Sequence, residues 1–258
     1  MARAGARDPL RLAILLVSIA GLIVLGIKTA GGTDGASATQ RAAARDRRPG
    51  KVVAIAARRA LPLGVRRQIA GPATPGVATV RTSRATYLLG GTRRTAKGAR
   101  VPVASVLRAT GHGRAERVAK LPVAVTGASG AAVGDKIFAL GGRLSGGRAS
   151  DLIQEYDVAT ERSVIAAKLP APVMDTAALT LDGFVYLVGG LVDGSPTRAI
   201  VRFDPLRGTA VVAGGLPVPA SGGIPAASRR HRGYLVRAAV PGAAPLNFEI
   251  TVGKHGRH

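Results

Sequence analysis

The sequence contains no cysteine, no tryptophan and only 3% aromatic residues. Without cysteine there is no disulfide, no thiol nucleophile and no Cys-based zinc site, and the redox compartment cannot be read from thiol usage. Histidine is sparse. His112 sits in a Gly-His-Gly turn, His231 in an arginine-rich run, and His255 and His258 near the C-terminal end. No two of them have the spacing of a helical or hairpin metal site. No Gly-x-Ser-x-Gly elbow and no Gly-x-x-x-x-Gly-Lys-Ser/Thr loop occurs, so neither an α/β-hydrolase nucleophile nor a phosphate loop is encoded. These absences lead to the expectation of no metal, no cofactor and no catalytic residue.

Acidic residues are also scarce, 14 against 37 Lys and Arg, for a formal net charge of +23. The excess is uneven: residues 1–134 carry a net +19, residues 135–205 a net −2 and residues 206–258 a net +6. A strong positive field favours anionic partners. The 30 arginines against 7 lysines also match GC-rich codon usage, and the two readings are compatible.

Long hydrophobic runs are missing except at the start. Leu12 to Ile27 is sixteen residues without a charge. As a helix it spans about 24 Å, short of a hydrocarbon core of about 30 Å, and Arg11 and Lys28 can snorkel to the two interfaces. Arg3, Arg7 and Arg11 upstream, against one Asp8, hold the N-terminus in the cytoplasm. The expectation is a basic cytoplasmic tail at 1–11, a single-pass transmembrane signal anchor at 12–28 and a flexible basic linker at 29–50. A cleaved signal peptide stays open, since Ala36-Ser37-Ala38 is a small-x-small site, although it lies far beyond the apolar run.

From residue 51 onward the chain is repetitive. Apolar runs end in double glycines at Gly90-Gly91, Gly141-Gly142 and Gly189-Gly190, spaced 51 and 48 residues apart, and Leu-Pro recurs at 61, 121, 169 and 216. A period near 50 signals a repeat architecture. Each unit reads as four strands. Two short runs flank Gly134-Asp135 or Asp182-Gly183, a variable polar loop follows the glycines, and a third strand ends in Tyr156-Asp157 or Phe203-Asp204. The fourth strand leads to Leu-Pro, which is read as the start of the next unit. Four antiparallel strands per unit make one propeller blade. Val52–Ala57 looks like a fourth strand with nothing before it, and Leu246–Val252 like a third strand with nothing after it. Pairing them would close the ring. The double glycine marks a close backbone approach near the channel, Asp157 and Asp204 bond the turns that follow them, and the aromatics lie between blades.

The double glycines, the aromatic-Asp pairs and the Leu-Pro endings resemble the kelch repeat. Val164 and Val211 stand where that family usually places tryptophan. The resemblance implies an all-β, kelch-like β-propeller over residues 51–252, of about four blades of four antiparallel strands, preceded by the transmembrane helix and followed by a basic tail at 253–258. Kelch-like rings generally have six or seven blades, so both a tight four-blade ring and a homodimer completing the ring stay open. The family's copper radical oxidases need a cysteine cross-linked to tyrosine, which this chain lacks.

In such propellers the loops after the double glycine and after Leu-Pro share one face, where ligands bind. The resemblance places Arg66, Arg67, Arg93, Arg94 and Arg143 there, with Asp175 and Asp193 nearby. Arginine captures carboxylate and phosphate in bidentate fashion. The expected role is a membrane-anchored binding or scaffold module outside the cytoplasm, for a protein or an anionic envelope polymer, and not an enzyme. Nucleic acid is not expected, because the loops carry too few stacking aromatics. The alternative is a carbohydrate-active lyase or epimerase using loop carboxylates.

Overall fold

The computed structural model describes residues 52–57, 76–111, 114–227 and 232–253. The expected membrane anchor, its flanking tail and linker, Arg66, Arg67 and the basic tail beyond Gly253 lie outside the described residues. Among the described residues no helix is long and apolar enough to cross a membrane.

Short apolar runs broken by Gly and Asp fold as antiparallel hairpins. The chain starts with β1 (Val52–Ala57). Blade I contains β2 (Val77–Arg81), β3 (Thr86–Gly90), β4 (Thr92–Arg94), β5 (Arg100–Gly111) and β6 (Arg114–Val125). Blade II contains β7 (Ser129–Val133), β8 (Lys136–Leu140), β9 (Ser150–Asp157) and β10 (Arg162–Val173). In blade III are β11 (Ala177–Leu181), β12 (Phe184–Val188), β13 (Leu191–Val192), β14 (Ser195–Asp204) and β15 (Thr209–Ala220), and in blade IV β16 (Ile224–Ala227), β17 (Arg232–Ala238) and β18 (Leu246–Val252). β1 returns to pair with β18, from Val52 opposite Val252 to Ala57 opposite Asn247. It thereby supplies the fourth strand of blade IV. The described residues form an all-β propeller of four antiparallel blades, the last completed by β1 as the unmatched ends of the sequence suggest.

The turns carry the residues their geometry demands. Asp182 and Gly183 both have positive φ, 52° and 78°, as a two-residue type I′ hairpin requires. The Asp157 carboxylate accepts the Ala159 and Thr160 N–H groups at 2.8 and 3.1 Å, and Asp204 accepts those of Leu206 and Arg207.

The double glycines answer to a backbone crossing. The Gly91, Gly142 and Gly190 N–H groups donate to the carbonyls of Val125, Val173 and Ala220, each at 2.9 Å. A Cβ on the preceding glycine would lie 2.3, 2.6 and 2.3 Å from those same oxygens. For the first glycine of each pair the close neighbour is the end of the blade's own fourth strand, whereas a Cβ at Gly142 or Gly190 would meet the loop leaving the preceding blade, 2.7 Å from the Ala128 nitrogen and 2.9 Å from the Met174 carbonyl oxygen. Leu-Pro also sits differently from the expectation. It lies inside β6, β10 and β15 instead of opening the next unit, and its leucines (Leu121, Leu169, Leu216) are buried between blades. The loops after the glycines are structured too, since β4 and β13 pair with the starts of β5 and β14.

Three apolar clusters join consecutive blades. Tyr87 meets Tyr156 between blades I and II, ring centroids 6.1 Å apart. Phe138 meets Phe203 edge-on at 5.2 Å between II and III. Tyr186 packs with Phe248 and Ile250 in the cluster between III and IV. β8 and β12, in the middle blades, are buried along nearly their whole length, whereas β2 and β18 alternate. Strands covered on both faces bury every side chain, and strands covered on one face bury alternate ones. Among the described residues, blade I is thus covered chiefly on the face toward blade II.

Candidate functional site

Two surfaces carry chemistry: the cavity on the propeller axis and the loop face at one end of it. The cavity, about 280 Å³, is lined by the innermost strands of all four blades, with Val77 and Thr79 from blade I, Ser129 from II, Ala177 from III and Ile224 from IV. The Ser129 hydroxyl donates to the Thr176 carbonyl at 2.7 Å. Arg81 is the charged group among the described lining residues, and no carboxylate is among them. Its described walls are otherwise small and mostly apolar.

The loop face is assembled by backbone pairing. The loops leaving blades I and II are zipped to the residue after the next blade's glycine pair, and the loop leaving blade III to the residue after Arg237-Ala238. Thr126 pairs with Arg143, Met174 with Leu191 and Ser221 with Ala239. The Arg143 N–H donates to the Thr126 carbonyl at 2.7 Å, and the Leu191 N–H to that of Met174 at 2.7 Å. These bonds place Arg143, Asp175 and Asp193 in loops on the same side of the ring. The Arg143 guanidinium reaches the Met174 sulfur at 3.0 Å, next to Asp175. Asp175 has φ 52° and its carbonyl accepts the Gly222 N–H. Asp193 and Gly194 form a tight turn with φ 49° and 77° between Val192 and Ser195. Their left-handed backbones give both aspartates a turn-forming role, whatever their carboxylates meet.

Arg93 and Arg94 lie on β4, directly after the glycine pair of blade I, the place that β13 holds in blade III. The β4–β5 hairpin carries Arg93, Arg94, Lys97 and Arg100, all exposed, and no acid. None of these four, nor Arg143, has a carboxylate partner among the described residues, whereas Arg84, Arg108, Lys136 and Lys168 all do. Lys97 and Arg100 escaped the sequence reading because the loop was not expected to fold back as a hairpin. Their spacing from Arg93 and Arg94 was the available signal.

Shifted ionisations lie elsewhere. Burial pushes the Tyr186 phenol up to about 12 and also raises Tyr156. The Glu116 carboxylate, hydrogen-bonded to Arg108, pushes that guanidinium further up. Among the described residues no group of three or more His, Asp or Glu could hold a metal ion.

No family model matches the chain. It resembles two proteins of Limulus polyphemus. One is alpha-scruin, 29% identical over 80 residues, which cover 28% of this chain and 9% of that protein. The other is beta-scruin, 30% identical over 80 residues with the same coverage. The chain spans less than a tenth of the length of these curated relatives.

Proposed function

We propose that this chain is a membrane-anchored, kelch-like propeller outside the cytoplasm that binds a protein or an anionic envelope ligand on its loop face. The observation that carries the reading is the β4–β5 hairpin, where Arg93, Arg94, Lys97 and Arg100 crowd together with no acidic partner among the described residues. Unpaired cations on one exposed hairpin cost self-repulsion that a bound polyanion relieves. The anchor rests on the apolar run Leu12–Ile27 and the kelch likeness on the repeat residues. A propeller is a common scaffold for binding, but its ligand is set by the site and not by the fold. The enzyme alternative, a carbohydrate lyase or epimerase, draws no support from the axial cavity, whose described lining holds no carboxylate.

The test is the thermal shift of the purified full chain with polygalacturonate, phosphatidylglycerol vesicles and neutral dextran, at about 20 mM and about 150 mM salt, which spans weak to physiological screening. A rise in Tm with an anionic compound but not with dextran, retained at the higher salt and lost in R93E/R94E, is the expected result. The reading is overturned if no anionic compound shifts the Tm or if the charge reversal changes nothing.

A further inference from the structure

In blades I, II and III the fourth strand leaves its ladder at Leu-Pro. In blade I the pairing goes from Ser105 opposite Lys120 to Val103 opposite Val125. Ala104 therefore stands against Leu121-Pro122-Val123-Ala124. Leu121 turns into the interface with blade II, and Pro122 has no N–H to give the ladder. The opening leaves a cleft of about 320 Å³ whose polar lining is Arg93, Ser105, Arg117 and Lys120. Arg117 is opposite Leu107, two residues from Ser105, so Arg117, Lys120 and Ser105 share one face of the sheet.

The same place in the repeat is different in blade III. There Ala199 is opposite Gly215 and Val201 opposite Val212, and Val192 takes the position of Arg93. Val192, Ala199 and Val212 line an apolar slot of about 60 Å³ into which blade II inserts Leu169 and Val173. In blade II the lysine at this position, Lys168, is paired with Asp151 at 3.5 Å. Only in blade I does the cleft combine three cations with no carboxylate partner among the described residues. Ser105 is 8% exposed, and its oxygen accepts from Arg117 at 3.4 Å. Among the described residues nothing accepts its own proton.

We propose that this cleft is a phosphate-binding site, with Arg93, Arg117 and Lys120 neutralising a doubly charged oxyanion and the Ser105 hydroxyl donating to one of its oxygens. The inference rests on the reading of blade I as an anion-binding surface, and narrows it to a group and a place. Cations from two strands on either side of a buried hydroxyl suit a tetrahedral dianion better than a single planar carboxylate, which would leave two positive charges unbalanced. The phosphate can be free or carried by a polymer.

The experiment is calorimetric titration of the full chain with inorganic phosphate, a short linear polyphosphate and acetate, in phosphate-free buffer at about 150 mM salt. The variants are R117Q/K120Q and S105A, with R148Q/R162Q, two exposed arginines of blade II, as a control. Expected are saturable binding of phosphate and not of acetate, an affinity loss of about tenfold or more in R117Q/K120Q, a smaller loss in S105A, and a change within about twofold in R148Q/R162Q. Equal affinity for phosphate and polyphosphate identifies a free or terminal phosphate as the ligand, and much tighter polyphosphate binding identifies a polymer. Each of these two results is expected to vanish in R117Q/K120Q. The proposal is overturned if wild type shows no saturable phosphate binding, if acetate binds equally well, or if the two double variants lose affinity alike. In those cases polygalacturonate or vesicle binding that survives in wild type leaves the broader reading standing, so the two failures can be told apart. All four substituted cations are exposed, and unchanged melting temperatures verify that the variants fold.

Discussion

Gly134 and Gly141 have nearly the same backbone angle, φ 62° and 63°, but different surroundings. A Cβ at Gly134 would meet nothing within 4 Å, whereas one at Gly141 would lie 2.6 Å from the Val173 carbonyl oxygen. Gly134→Ala therefore costs the left-handed backbone term alone, roughly 1–2 kcal/mol. Gly141→Ala adds a clash with a backbone atom that already holds the Gly142 N–H, and is expected to cost roughly 3 kcal/mol or more. Urea denaturation of the two variants measures the difference, and equal losses would mean that the crossing strand yields. Tyr186 gives a second residue-scale prediction. Burial raises its phenol from 10.0 to about 12, so its neutral form is favoured in the folded state. Its contribution to stability is complete below about pH 10 and is lost as pH rises toward about 12, where the native phenol ionises. The Tm should hold to about pH 10 and fall above it, and Tyr186→Phe should make that fall shallower. An unchanged alkaline profile in the variant would place the lability in another group, with Tyr156, also raised by burial, next in line.

Strands built from local signals were legible from the residues alone. Asp182-Gly183 fixes a hairpin through two left-handed residues, and the run Leu246–Val252 becomes β18 with the boundaries its composition suggests. Elements that depend on contacts distant in sequence were not. Leu-Pro looks like a boundary because proline punctuates, yet Leu121, Leu169 and Leu216 are anchors between blades, reached by strands that continue past their own ladder. The β4 hairpin is held by pairing of Thr92, Arg93 and Arg94 with Pro102, Val101 and Arg100, and a polar composition gives no period by which to see it. For the same reason the loop arginines were visible as charges, while the cleft that joins Arg93 to Arg117 and Lys120 needs the β5–β6 register. Position in the repeat also explains Val164 and Val211, exposed at 49% and 45%: on the outer strands nothing covers them, so a small β-branched residue is tolerated where the kelch likeness implies tryptophan.

Blade IV depends on β1. Its six residues pair along β18 in register, and Val52 at 5% exposure joins the cluster between blades III and IV. Its backbone also approaches blade III, since a Cβ at Gly214 would lie 2.9 Å from the Val52 carbonyl. Removing β1 would bare the edge of β18, strip one wall from that cluster, and leave an unpaired strand able to recruit another chain. Deleting residues 52–57 from the full chain should lower the Tm by about 10 °C or more, or abolish soluble folding, at about 2–4 °C per kcal/mol for a domain of this size. An unchanged Tm would mean that blade IV stands on three strands. Because the chain supplies this strand to itself, a second copy is not required to fill blade IV. Sedimentation of the intact chain in detergent should accordingly show a monomer over a wide concentration range, while the deletion variant, if soluble, should associate through the freed β18 edge. A dimer of the intact chain that dissociates only on unfolding would instead mean that two copies exchange β1, with the same pairs, Val52 to Val252 and Ala57 to Asn247, formed between chains.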